Sequence, residues 1–153
     1  MTTFEEVLAR DGRLVYKTRG SSMRPLLRQD RDLVIIEPPA ERLRRLDVAL
    51  YKRGSKYVLH RVIRAGDGVY YIRGDNTYDL ETVPEGAVIG VLTGLQRKGK
   101  TISVTSRGYR LYARVWTAVY PLRLAYHRLR GWAVRAARRL GILPLIKKVV
   151  HRG

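Results

Sequence analysis

The sequence predicts an α+β fold, mostly β, that ends in basic helices. Three observations carry that expectation. Short runs of β-branched and aromatic residues, separated by glycine- and proline-bearing turns, fill residues 14–105. From Arg107 the apolar period becomes helical. At 153 residues the chain can bury a real core without disulfides or metal.

Residues 3–10 open with a short helix. Thr3 can cap it, Glu5 and Glu6 suit its positive end, and Asp11-Gly12 closes it. Seven strands are then expected. Leu14–Tyr16 is the first, and Asp32–Glu37 the second, closed by Pro38-Pro39. Asp47–Lys52 and Tyr57–Ile63 flank the hairpin signal Arg53-Gly54-Ser55. Gly66-Asp67-Gly68 leads into Val69–Ile72, and Ala87–Leu92 and Thr101–Thr105 lie either side of a Lys-Gly-Lys turn at 98–100. Leu111, Tyr112, Val115, Trp116 and Val119 then fall on one helical face, which ends at Pro121. A second stripe runs through Leu122, Ala125, Leu129, Trp132, Ala133, Ala136 and Leu140, with arginines on the remaining arc, and stops at Gly141. A short segment, Ile142–Val150, follows weakly. The expected division is residues 1–106 and 107–153, where period and charge change together.

The charge narrows the partners. Thirty-one basic residues face thirteen acids, for a net +18. The last acid is Glu85. Residues 1–85 carry +3 and residues 86–153 carry +15. Such asymmetry points to an anionic partner for the C-terminal part. With no cysteine and three histidines, thiolate metal sites, disulfides and cysteine nucleophiles are excluded, and no metal or other cofactor is expected. The N-terminus lacks a basic start followed by an apolar stretch, so no signal peptide is expected. No run of about 18 apolar residues exists, so no transmembrane helix is expected either.

Three short segments could carry chemistry. In Gly20-Ser21-Ser22-Met23-Arg24-Pro25, a glycine would admit a second backbone and Pro25 would stiffen the exit. A serine held there becomes a nucleophile if a base lies nearby; the plain alternative is a turn. His60 shares one face of its strand with Val58 and Val62, so it is half-buried, as either a core histidine or a base. Gly74-Asp75-Asn76 reads as a tight turn, or as a carboxylate that orients an imidazole.

Taken in order, these segments resemble the signal peptidase I family. Gly20-x-Ser22-Met23-x-Pro25-Leu26 is similar to its serine box, and Asp47-Val48-x-x-Tyr51 to the strand box that follows. His60-Arg61-Val62, Gly74-Asp75-Asn76 and Val88-Ile89-Gly90-Val91 are similar to the next three. The resemblance spans residues 14–95. It implies the coiled β-sheet of that family and a serine endopeptidase acting on a precursor or leader peptide. Ser22 would attack the peptide carbonyl and His60 would be the general base, in the position where bacterial members carry lysine. Asp75 would hold the ring's other nitrogen. The Ser22 N–H, with Ser21, would bind the oxyanion, and Met23 would floor the substrate pocket, or else fill the core. The sequence departs from the family where Thr77-Tyr78-Asp79-Leu80-Glu81 replaces the expected second-acid pattern, so Asp79 and Glu81 compete with Asp75. The N-terminal membrane anchor and the large insertion of longer members are also missing.

The basic tail, residues 107–153, fits helices lying in a membrane interface, each cation adding about 1 kcal/mol near anionic lipid. The expected placement is therefore peripheral, on the cytoplasmic face. Solvated arginines over a packed stripe are the plain alternative, and nucleic acid is a further, less favoured partner. His127 and His151 receive no catalytic role. The rival function is an idle peptidase-fold module that binds an anionic membrane surface or nucleic acid through this tail. A self-cleaving regulator is disfavoured, because thirteen residues before Leu14 cannot hold a helix-turn-helix.

Overall fold

The computed structural model describes residues 2–29 and 31–140, so the expectations for Gly141, Ile142–Val150 and His151 fall outside it. Helix α1, Phe4–Asp11, starts on a capping box: the Thr3 hydroxyl accepts from the Glu6 N–H, and the Glu6 carboxylate accepts from the Thr3 N–H. It stops at Gly12, whose φ of 65° is left-handed.

Eight antiparallel strands follow: β1 (Leu14–Lys17), β2 (Asp32–Glu37), β3 (Val48–Arg53), β4 (Lys56–Ala65), β5 (Val69–Arg73), β6 (Glu81–Pro84), β7 (Val88–Arg97) and β8 (Lys100–Ser103). They form one sheet in the order β1-β2-β7-β3-β4-β5-β6, with β8 paired to β7. The fold is thus α+β and mostly β. The predicted seven strands become eight because β6, with Pro84 and an exposed Thr82, lacks an apolar run. β7 runs to Arg97, beyond the predicted Leu92, because its second half pairs with both β2 and β8.

β3 shows how the sequence builds two cores. Val48, Ala49, Leu50 and Tyr51 are all buried, and alternate residues point to opposite faces. Val48 and Leu50 join α1, β1, β2 and the serine segment in one apolar cluster, together with Met23, Leu27 and Leu92. Ala49 and Tyr51 join Leu43, Val62, Tyr70, Ile72 and Val83 in the other.

The chain divides into two compact units, residues 1–117 and 118–153. The first unit therefore extends past the change of period at 106 and includes most of helix α2, Arg107–Ala118. The reason is packing: α2 buries Tyr109, Ala113 and Thr117, and half-buries Tyr112 and Trp116. The apolar face expected from Leu111 and Val115 is rotated, and those two residues are 64% and 50% exposed. Helix α3, Tyr120–Arg139, has Pro121 in its first turn, where the missing N–H costs nothing. None of its residues is buried, and Leu122, Leu129 and Trp132 are exposed among six arginines. Among the described residues no helix is long and apolar enough to cross a membrane.

Candidate active site

The serine segment leaves β1 and turns over the sheet. Gly20 has φ 89°, a left-handed conformation, and its N–H donates to Gln29 Oε1 at 2.8 Å. No atom lies within 4 Å of where its Cβ would stand. The sequence reading gave this glycine a close backbone approach, but its use is conformational. The close approach belongs to Gly74. A Cβ there would stand 2.7 Å from the Ser22 carbonyl oxygen, 3.0 Å from His60 Nε2 and 3.0 Å from Thr77 Oγ1.

Two of those distances bring Ser22 and His60 together. His60 Nε2 and the Ser22 backbone both border the same glycine. Both residues also line one cleft of about 1010 Å³, with Met23, Leu27, Thr77 and Glu81 among its other walls. Met23, expected either to floor a substrate pocket or to fill the core, belongs to the apolar core and also lines the cleft. Ser21 is exposed and lies outside the cleft lining; its carbonyl accepts from Arg24 N and Asn76 Nδ2. Among the described residues no hydrogen bond joins the Ser22 hydroxyl to the imidazole.

The acid that faces His60 is Glu81. His60 is 5% exposed, on β4. Its Nδ1 lies 3.2 Å from Glu81 Oε1 and 3.3 Å from the Tyr51 hydroxyl. Tyr51 donates to Glu81 Oε2 at 2.9 Å, and Arg53 Nη1 donates to the same oxygen at 2.9 Å. A carboxylate beside Nδ1 fixes the hydrogen there and leaves the Nε2 lone pair toward Gly74 and Ser22. Burial pulls the imidazole below its ordinary pKa, against the raising field of Glu81, so the ring is neutral and basic near pH 7. Burial alone would raise Glu81, but the Tyr51 and Arg53 hydrogen bonds outweigh it and hold the carboxyl below its ordinary value.

Asp75, the residue expected to orient His60, is engaged elsewhere. Its two carboxylate oxygens accept from Arg61 Nε at 2.7 Å and Arg61 Nη2 at 2.8 Å, a two-point pair with side chains 1% and 3% exposed. Tyr112 donates to Asp75 Oδ2 at 2.8 Å, and Trp116 Nε1 donates to the Asp75 carbonyl at 2.8 Å. Burial is the main cause that raises the Tyr112 phenol, which keeps its proton for this bond. Arg61 also reaches the Leu46 carbonyl at 2.9 Å and faces the rings of Tyr109 and Tyr112.

The Asp75 turn in turn holds the serine. Asn76 N donates to the Ser22 carbonyl at 2.7 Å. A continuous path therefore runs from Trp116 through Asp75 and Asn76 to Ser22. Sequence reasoning missed Tyr112 and Trp116 as parts of this arrangement, because their spacing reads as an apolar stripe. The signal that pointed to Glu81 was present, but Glu81 sits five residues beyond the box that drew attention to Asp75.

Chemically, a buried neutral imidazole oriented by a carboxylate, beside a serine turn and an open cleft, is suited to general-base activation of a hydroxyl. Comparison with known proteins gives no further guide: no family model matches the chain, and no curated protein does.

Proposed function

We propose that the chain is a serine endopeptidase of signal-peptidase type that cleaves a precursor or leader peptide. Ser22 is the nucleophile, His60 the general base, and Glu81, in place of Asp75, the residue that orients the ring. Asp75 with Arg61 is the buried brace that holds the turn beneath Ser22. The observation that carries the reading is the position of His60: Nδ1 faces Glu81, while Nε2 faces Gly74 and the Ser22 backbone. Two further features support it. Ser22 and His60 line the same cleft, and the Ser22 N–H makes no backbone hydrogen bond among the described residues, which leaves it for an oxyanion. In the reaction the hydroxyl proton passes to Nε2 as Oγ bonds the peptide carbonyl, and His60 then returns it to the leaving amine.

A second reading is favoured by a separate observation, the absence of any acid after Glu85 together with exposed Leu111, Val115, Leu122, Leu129 and Trp132 among arginines. On this reading the C-terminal helices bind an anionic membrane surface, with the arginines toward the headgroups. It stands beside the peptidase reading, or alone if the site is idle. Basic segments favour the cytoplasmic leaflet, so the proposed placement is peripheral, on that face.

One experiment tests both. Wild type and Ser22→Ala are incubated with a mixed peptide panel, with and without anionic vesicles, and products are read by intact mass. Cleavage by wild type alone supports the peptidase. Equal cleavage by Ser22→Ala refutes it. Sedimentation with phosphatidylserine vesicles supports the surface reading. Binding to a nucleic acid duplex with none to vesicles refutes the membrane assignment.

A further inference from the structure

The cleft carries an imbalance of charge that the catalytic residues do not explain. Among the described residues, four cationic ones line it, Lys17, Arg19, Arg53 and Lys56, against two carboxylates, Asp79 and Glu81. Glu81 is committed to Arg53, Tyr51 and His60. Lys17, Arg19 and Lys56 are exposed and pair with no acid among the described residues. Elsewhere in the same unit acids are placed against cations: Arg10, Arg42, Arg44 and Lys52 each hold a carboxylate. Other cations without an acid partner among the described residues, such as Arg13, Arg24 and Arg45, lie outside the cleft, but these three stand where a ligand would lie.

The floor between them is apolar. Phe4, Tyr16, Met23, Leu27, Tyr57 and Leu59 face the cleft, and the Phe4 ring stacks on Tyr57 with centroids 4.3 Å apart. Two strand edges border this floor. Among the described residues β1 pairs only with β2, and β4 meets β5 only from Arg61 onward, so residues 56–60 have one edge without a partner strand there. Such edges accept an extended chain through backbone hydrogen bonds. Side chains of an extended chain alternate, one set down and the next out. The downward set would meet the apolar floor, and the outward set the rim.

We propose that the cleft takes an extended peptide in which apolar residues alternate with Asp or Glu, the acids facing Lys17, Arg19 and Lys56. This inference rests on the peptidase reading for its consequence, substrate choice, but its physical content is binding. Each exposed ion pair adds a factor of about two to five in affinity, so three of them add roughly tenfold or more at low salt. The preference falls as salt shortens the screening length.

The test uses full-length Ser22→Ala, which cannot turn over, and a short fluorescent peptide alternating Glu with Val. Its Gln and Lys counterparts complete the set, and Kd is read by anisotropy at low and high salt. The Glu peptide is expected to bind roughly tenfold more tightly than the Gln peptide at low salt. The variant Lys17→Glu/Arg19→Glu/Lys56→Glu should reverse the order in favour of the Lys peptide. The variant Arg128→Glu/Arg130→Glu/Arg135→Glu on α3 should leave it intact, which separates the cleft from a general attraction to a basic chain. The single variant Lys56→Glu, at an exposed site, gives the same sign should the triple variant unfold. Equal affinity for the Glu and Gln peptides, no binding of the Glu peptide, or a preference lost only with the α3 variant would each overturn the proposal. Wild type incubated with the same peptides separates the two readings. Charge-selective binding without cleavage refutes the peptidase and leaves the binding site standing. Cleavage indifferent to charge refutes the binding site and leaves the peptidase standing.

Discussion

Gly74→Ala is the smallest change that tests whether the Ser22 and His60 arrangement is what the site depends on. The added methyl would lie 2.7 Å from the Ser22 carbonyl oxygen and 3.0 Å from His60 Nε2, where ordinary contact begins at 3.4 Å. Neither neighbour is the free end of a flexible chain. The Ser22 carbonyl is tied to Asn76 N at 2.7 Å, and the imidazole is tied to Glu81 and Tyr51. The serine turn must therefore move by about 0.7 Å, or the ring must tilt away from Glu81. Overpacking of this kind costs about 1–3 kcal/mol, which for a chain of this size lowers Tm by roughly 2–12 °C. A displacement approaching 1 Å between nucleophile and base costs up to about 100-fold in rate. The assay is kcat/KM on the best-cleaved peptide of the panel, with Tm measured in parallel. Gly86→Ala is the control, since no atom lies within 4 Å of its Cβ position and its φ is not left-handed; both quantities should stay near wild type. Wild-type kcat/KM in a folded Gly74→Ala chain would refute the placement of Ser22 and His60 around this glycine.

Four further outcomes follow from the same contacts. Glu81→Gln should lower kcat by up to about 10⁴-fold with little change in fold, because the ring loses the group that fixes its tautomer. The pH profile adds a sign. The His60 pKa lies below its ordinary 6.5 in the folded chain, so activity should rise with pH through a midpoint under 6.5, and folding stability should fall as pH drops from 6.5 toward that midpoint, where the unfolded chain binds more protons. Removing the raising field of Glu81 should move the midpoint lower still; an acid limb that rises only above pH 9 would exclude His60 as the base. Asp75→Asn should act chiefly on stability, by about 3–5 kcal/mol, because it leaves the Arg61 charge buried with half its partner gone, and a Tm near wild type by calorimetry would contradict this. Trp116→Phe removes one donor from the Asp75 carbonyl and should cost about 1–3 kcal/mol, with faster hydrogen exchange at the Asn76 amide; unchanged exchange there would break the path to Ser22.

How much of this was legible in the sequence depends on which physical rule each element obeys. Strands β2, β3, β4 and β5 carry β-branched and aromatic runs bounded by turn residues, and α1 carries its own capping box, so local pattern sufficed for them. β6 exists because β5 offers an edge for Glu81–Pro84 to pair with, a long-range fact with no apolar signature. The site divides in the same way. Ser22, His60 and Gly74 stand in short segments whose order could be read. The choice between Asp75 and Glu81 could not, because it depends on which cation each acid meets. Arg61 follows His60 on β4 and so points to the opposite face, away from Glu81. It takes Asp75 with it, and Glu81 is left to Tyr51, Arg53 and the imidazole. Neighbouring residues in one strand thus sort two acids to opposite faces, and a motif that places His and Arg side by side hides the sorting.

The clearest consequence concerns where the chain can be cut. By charge and period, everything from Arg107 onward reads as tail. By contact, Tyr109, Tyr112 and Trp116 belong to the site, since they hold Arg61 and Asp75 beneath the serine turn. Every described residue that lines the cleft, and every residue named on the path to Ser22, comes before Ala118. A chain ending at residue 106 would expose the Arg61–Asp75 pair and remove three aromatic side chains from it. It should lose several kcal/mol, since stranding buried charged groups costs more than losing a surface contact. A chain ending at residue 119 keeps all of those contacts and sheds α3 with its six arginines. It should melt as a folded protein and cleave free peptides at the wild-type rate while losing most vesicle binding. The comparison is read by calorimetry, peptide turnover and vesicle sedimentation on the two truncations. Should the chain ending at 106 retain wild-type Tm and turnover, α2 would be an appendage, and the assignment of Tyr112 and Trp116 to the site would fail.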